Sequence, residues 1–570
     1  MRLVRTLIAL ACAFPLLTCN RQPQTTASPS ADWNRYVEQF IEDWFRTHPD
    51  TAVNAGRHEY DGKLPDWSAD GIRKEIARLK QERERARGFR EDALDERQRL
   101  ERDYLISVID GELFWTENAE WPFKNPAYYS GSIGPSIYAT REYAPLDMRL
   151  RAYTAYAKAI PQATQQIRAN IRTPLPRTYI RIARISFGGL ASYYEKDVPA
   201  IFASVKDEHL QRDFRSANQE AIKAMKHLDA WFASQEANAT DNFAIGAEKF
   251  SEMLRMTEGV QIDLGELERI GRADLERNLA GLREACAKYA PGKTTHECVQ
   301  KAQAKKPAGG PVQAARKQLV GLKAFIQQKD LVTIPGPEEA LVAEAPLYRR
   351  WNFAYIEIPG PYEKNVPSVY YIAPPNPAWS KAERESYIPA EARLLFTSVH
   401  EVWPGHFLQF LHANRAPSKF GQIFVGYAFA EGWAHYAEEM MLESGLGDGD
   451  PEKQIGQRLS ALLRNVRFLS AIGLHSGRMT VEQSEKLFRE EGHQDAATAR
   501  EQATRGTFDP AYLNYTLGKL MIRKLRDDWC ASRGGRQAWK QFHDEFLKYG
   551  GPPVPLARKA MLGGEQGSLF

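Results

Sequence analysis

In the stretch HEVWPGHFLQF, Pro404 and Gly405 interrupt a segment that otherwise has the pattern of a buried helix. Proline has no N–H to offer the carbonyl of His400, and its ring collides with that turn. Trp403, just ahead of it, is pushed away from helical angles, while Gly405 tolerates angles closed to other residues. A Pro-Gly pair inside a helix costs about 4 kcal/mol in propensity alone. The backbone is therefore expected to kink or bulge here, and a plain core helix would gain nothing from it.

The same stretch starts as HExxH and then departs from it, because the second histidine is His406. On a regular helix, residues six apart are turned about 240° and their imidazoles cannot meet. With two residues looped out at the proline, His406 comes back round to His400. Both could then reach one metal ion, which needs bonds of roughly 2.0–2.1 Å if it is zinc. A third ligand is available in EGWAHYAEE, where Glu431, His435 and Glu438 form one helical stripe among apolar and aromatic residues. Such a stripe faces inward, and buried carboxylates need a metal or a cation as partner. Glu431 is the candidate ligand. The structural alternative is an ion pair from Glu431 or Glu438 to Arg464 or Arg467. Glu401 stands where HExxH enzymes place the general base, acting on a water whose pKa the metal lowers toward about 7. His58-Glu59 and His296-Glu297 are further HE pairs, but neither has a second ligand or an acidic helix nearby in sequence. Mixed histidine and carboxylate ligands point to Zn2+ among the common divalent metals.

Around this constellation the chain is mainly α. Segments such as EDALDERQRLERDYLISVIDGEL carry apolar residues at three-to-four spacing among charges. The exception is residues 352–377, where aromatic and β-branched residues alternate between prolines and predict a short β ribbon. AKKPAGGP reads as an exposed loop. We expect an N-terminal helical half over 33–310 and a C-terminal half over 311–570 that holds the metal site. Before them, residues 1–19 read as a secretory signal, with two arginines, an apolar run too short for a confident span, and Cys19. LLTC, residues 16–19, resembles a bacterial lipobox, with Thr18 as a departure, which implies lipidation at Cys19. Residues 20–32 form a polar tether. The expected location is the periplasm or an outer-membrane lipid anchor. In that oxidising setting Cys286 and Cys298 could close a short loop, or remain two separate buried thiols; Cys530 is left as a small core residue. A net charge of +4 with no basic run argues against a nucleic-acid partner.

His400, Glu401, Pro404, Gly405, His406 and Gln409 resemble the HExxPGHxxQ signature of the bacterial family called domain of unknown function 885. EGWAHYAE is similar to its EGWALYAE, with His435 in place of leucine. RFLSAIGLH and YTLGK are similar to later blocks, with Ala471 where aspartate is common. That family is in turn similar to helical zinc carboxypeptidases and angiotensin-converting enzyme. The resemblance implies a large two-lobed helical body with a deep central cleft. It also implies His475, Tyr512 and Tyr515 as candidates to stabilise an oxyanion, and Arg464, Arg467 and Lys519 to grip a substrate carboxylate. The expected function is an exported zinc metallopeptidase cutting small peptides. The alternatives are a zinc amidohydrolase on a non-peptide amide and a non-catalytic lipid-anchored binding protein.

Overall fold

The computed structural model describes residues 29–346, 349–350, 353–563 and 567–570. The expected signal, Cys19 and the tether as far as residue 28 lie outside the described residues. The first helix, Pro29–Thr47, begins within the expected tether. The fold is mainly α, as the three-to-four spacing predicts. Among the described residues no helix is long and apolar enough to cross a membrane.

Two hydrophobic cores organise the helices. One gathers Val53, Trp67 and residues between 129 and 232 around the paired helices Leu146–Asn170 and Glu208–Ser234. The first of these buries Tyr153, Tyr156, Ile160, Ala163 and Ile167 on one stripe, which is what its apolar spacing dictates. The larger core runs from Trp33 in the first helix through Val399 and Trp433 to Met561. It therefore joins the two ends of the described chain around the segment that carries the motif. Tyr104 ties these parts together, its hydroxyl donating to the carbonyl of Gly551 at 2.7 Å.

The expected ribbon is present and gains a third strand. β1 (Ala340–Glu344) runs parallel to β3 (Ser368–Ile372), and β2 (Ala354–Glu357) runs antiparallel to it, giving the order β1-β3-β2. Tyr355 pairs with Tyr371 across β2 and β3. The chain between these strands returns to the N-terminal region, where Tyr362 N–H donates to Ala55 at 2.9 Å. His58 also serves this docking. Its imidazole lies 3.0 Å from Asp61 and 3.4 Å from Glu363, so that HE pair is a fastening of the loop.

Cys286 and Cys298 are joined in a disulfide, and Cys530 is a buried free thiol. The bridge links the helix Leu264–Tyr289 to Thr295–Gln303 across 12 residues of sequence. Closing a loop of that size removes unfolded-state entropy worth about 3 kcal/mol. Cys298→Ser should lose about that much in urea unfolding under non-reducing conditions. An unchanged midpoint would mean that the bridge contributes nothing.

Candidate metal centre

The helix that carries His400, Glu391–Glu401, stops outright at Glu401, and a new helix, His406–Ala413, begins at the second histidine. The kink expected at the proline is thus a complete break of four residues, Val402 to Gly405, with a cis bond between Trp403 and Pro404. Gly405 N–H folds back to the Val399 carbonyl at 2.9 Å. A Cβ on Gly405 would sit 1.8 Å from the carbonyl oxygen of His400, so only glycine fits. Trp433 fastens the turn from outside, its indole N–H donating to the Pro404 carbonyl at 2.8 Å. Because Trp433 lies on the Glu431 helix, Tyr427–Glu443, the same bond sets the acidic stripe against the histidines.

The three candidate ligands converge. His400 Nε2 and His406 Nε2 each lie 3.2 Å from Glu431 Oε2, and the two rings meet edge to face with centroids 4.8 Å apart. Among the described residues this is the one group of three whose ligand atoms all fall within 4.8 Å of one another. Ligand atoms on a tetrahedral zinc with bonds of about 2.05 Å are about 3.3 Å apart, which matches both carboxylate–imidazole distances. A distance of 3.2 Å also suits a hydrogen bond, so the surroundings decide the reading. His400 Nδ1 is 2.8 Å from Glu438 Oε1, and a proton held between those two atoms would turn the Nε2 lone pair toward a metal. Arg464 Nη2 lies 3.1 Å from the same carboxylate oxygen. The ion pair offered as the structural alternative therefore exists at Glu438, and it steadies the group that orients His400.

Electrostatics favour a cation at this point. Burial and Arg464 pull His400 down, yet Glu431 and Glu438 outweigh them and lift its pKa to about 9. Glu431 is held well below the ordinary carboxylate value against its burial, chiefly by His406 and His400. Glu401 shows the opposite balance. Burial raises its pKa above the ordinary value, although His400 and His406 both work to lower it. A carboxyl so placed accepts a proton more readily than an exposed one. If Glu438 orients His400, Glu438→Gln should weaken zinc affinity by 10–100-fold, on the order of other losses of this kind, in a chelator competition titration. Unchanged affinity would remove that role.

A family model described as bacterial protein of unknown function (DUF885) matches residues 49–561. The chain belongs to the DUF885 family. Two solved structures share its fold along nearly their whole length. One, from Shewanella oneidensis, is provisionally described as a lipoprotein of unknown function. It is 25% identical with a TM-score of 0.77, covering 94% of this chain and 100% of its own. The other, from Colwellia psychrerythraea, is provisionally described as a lipoprotein. It is 16% identical with a TM-score of 0.78, covering 93% and 98%. No curated protein matches the chain.

Of the other residues singled out in this DUF885 chain, some border the ligands and some do not. Tyr515 lies parallel to the His400 ring with centroids 6.1 Å apart. Arg467 stands over the Tyr515 ring at 4.8 Å and donates to Gln502 at 2.7 Å. Tyr515 arrives there because its helix, Asn514–Ala531, crosses the Glu431 helix glycine on glycine; a Cβ on Gly432 would lie 2.5 Å from the Gly518 Cα. His475 and Lys519 are engaged elsewhere, and Tyr512 makes no close hydrogen bond among the described residues. His475 Nε2 donates to the Gly506 carbonyl at 2.7 Å, and burial lowers its pKa to about 4. Tyr512 is wholly buried, its hydroxyl against Gly506. Lys519 is buried between Asp274 and Glu439. Ala471 lies in the core.

Two neighbours of the site are new. Arg505 reaches within 6.0 Å of the Tyr515 centroid, pairs with Asp509 and donates to the Tyr427 hydroxyl at 3.1 Å. Tyr427 stands one helical turn before Glu431, so its position was visible in YAFAEGW, but its partner was not.

Proposed function

We propose that this chain is an exported zinc metallopeptidase that hydrolyses small peptides in the manner of a carboxypeptidase. The observation that carries the reading is the meeting of His400, His406 and Glu431, with Glu438 behind His400 and Glu401 buried beside the pair. Zinc held there would polarise a substrate carbonyl and acidify water. Glu401 takes the proton from the attacking water as its oxygen bonds to the carbonyl carbon. Glu401 then returns that proton to the amide nitrogen as the C–N bond breaks. Tyr515, whose ring stacks on that of His400, carries the hydroxyl that is the candidate donor to the oxyanion.

Arg467 supplies the reason for a carboxylate-bearing substrate. It is 8% exposed and makes no close ion pair among the described residues, Glu501 acting on it only from farther off, an expensive state for a charge unless an anion joins it. Arg464 is less suited to this task because Glu438 engages it. Export through a lipid anchor at Cys19 is supported by the provisional description of both similar structures as lipoproteins.

Elemental analysis of the purified protein should find about one zinc per chain, lost in His406→Ala. A peptide library followed by mass spectrometry should show trimming from free carboxyl ends. Bound zinc with no peptide cleavage but hydrolysis of a non-peptide amide would move the assignment to an amidohydrolase. Absence of metal in freshly purified protein would leave a binding protein.

A further inference from the structure

Away from the ligand cluster, a cavity of about 260 Å³ opens between the first helix, the helix Glu96–Leu113, the end of Ala247–Glu258 and the start of the Glu431 helix. That is room for far more than a single water molecule, whose share of liquid volume is about 30 Å³. Two carboxyls, Glu112 and Glu258, stand in its wall with the indoles of Trp44 and Trp115, and among the described residues no lysine, arginine or histidine lines it, His48 standing behind Trp44.

The hydrogen-bond inventory of the wall is unbalanced. Asn514 Nδ2 donates to Glu258 Oε1 at 2.6 Å, which accounts for one oxygen of that buried carboxyl. Glu258 Oε2 makes no close hydrogen bond, its carboxyl being approached, apart from Asn514, only by the Ala428 backbone N–H, and Asn514 Oδ1 is buried without a hydrogen-bond partner among the described residues. Both residues are nearly inaccessible, 2% and 1% exposed. A second unpartnered polar atom of the wall is Trp44 Nε1, a donor on a ring that stacks on His48 at 4.2 Å. Two carboxyls, one unpartnered amide oxygen and two indole rings make a site chiefly for a positively charged donor. An ammonium group satisfies acceptors and carboxylates together and is drawn to indole faces.

We propose that this cavity is a binding subsite for an alkylammonium group. Burial pushes the Glu258 carboxyl up to about 8 and also raises Glu112, so a cation placed beside them would favour their ionised forms. Tyr427 joins the cavity to the catalytic region. It lines the cavity, its ring lies 6.0 Å from that of Tyr515, and its hydroxyl receives the Arg505 hydrogen bond. An ammonium held here therefore belongs to the substrate, as a basic side chain or an amino terminus. This last step rests on the peptidase reading; the ammonium site itself does not.

The test is tryptophan-fluorescence and calorimetric titration of the full chain with n-butylammonium, using 1-butanol as the uncharged counterpart of the same shape. The amine should bind saturably and at least tenfold tighter than the alcohol. Glu258→Gln should lose tenfold or more, while Glu431→Ala, which removes a proposed metal ligand, should bind the amine as the wild type does. Equal binding of amine and alcohol would overturn the proposal, as would a folded Glu258→Gln variant with undiminished affinity. Should Glu258→Gln fail to fold, Glu112→Gln, on the more open side of the wall, serves in its place with the same expectation. Competition then separates the sources. Displacement of n-butylammonium by Nα-acetyl-lysine amide assigns the subsite to a basic side chain, and displacement by glycylglycine amide assigns it to an amino terminus. Displacement by neither would overturn its role as a substrate subsite.

Discussion

Gly405→Ala is expected to destabilise the protein by at least about 4 kcal/mol, a loss in the range reserved for gross steric or buried-polar errors. The added methyl would lie 1.8 Å from the His400 carbonyl oxygen, with the Val399 oxygen at 2.5 Å, and both obstacles are backbone. No side-chain rotation relieves such a contact. The turn would have to open, and with it the Gly405 N–H bond to Val399 and the seat of Pro404 under Trp433. Gly321→Ala provides the contrast. It is an exposed helical position with nothing within 4 Å of the new methyl, where alanine should stabilise by about 0.5–1 kcal/mol. Urea denaturation of the two variants beside the wild type gives the difference directly. A Gly405→Ala midpoint near that of the wild type would mean that the turn does not approach His400 this closely.

The contrast between these glycines also shows which parts of the molecule its sequence made legible. The break at Pro404 was visible because a local preference conflicts with its surroundings, and such conflicts mark places where tertiary structure has a use for them. The acidic stripe was visible because helical spacing places Glu431 and Glu438 on one face whatever the helix packs against. What could not be read were partners set by distant crossings. Lys519 in YTLGK has the form of a free cation, yet Asp274, 245 residues away, closes on it. Arg464 was open to two readings, and in the fold its carboxylate partner is the one that orients a histidine. Strand β1 escaped notice because only Val342 among its five residues is buried and its pairing with β3 is parallel and non-local. Local chemistry thus located the cluster of His400, His406 and Glu431, while the guanidinium of Arg505 beside Tyr515 depended on how whole helices cross.

Glu401→Gln should abolish nearly all hydrolysis, by about 10²–10⁴-fold in kcat, while leaving zinc content and unfolding midpoint close to those of the wild type. The amide occupies the same space at the end of the His400 helix, where the residue is buried beside but outside the ligand triad. Under the proposed mechanism it removes only the capacity to accept a proton from water and deliver it to the departing nitrogen. The substitution should therefore fall on kcat and leave KM little changed, since no substrate contact is assigned to this side chain. His406→Ala is the informative companion, because it should lose activity and metal together. A Glu401→Gln enzyme that binds zinc and still cleaves peptides at the wild-type rate would exclude Glu401 as the base. If instead Glu401→Gln loses its zinc, the side chain belongs to the metal's own coordination, and the division between base and ligands drawn from the three converging atoms would have to be redrawn.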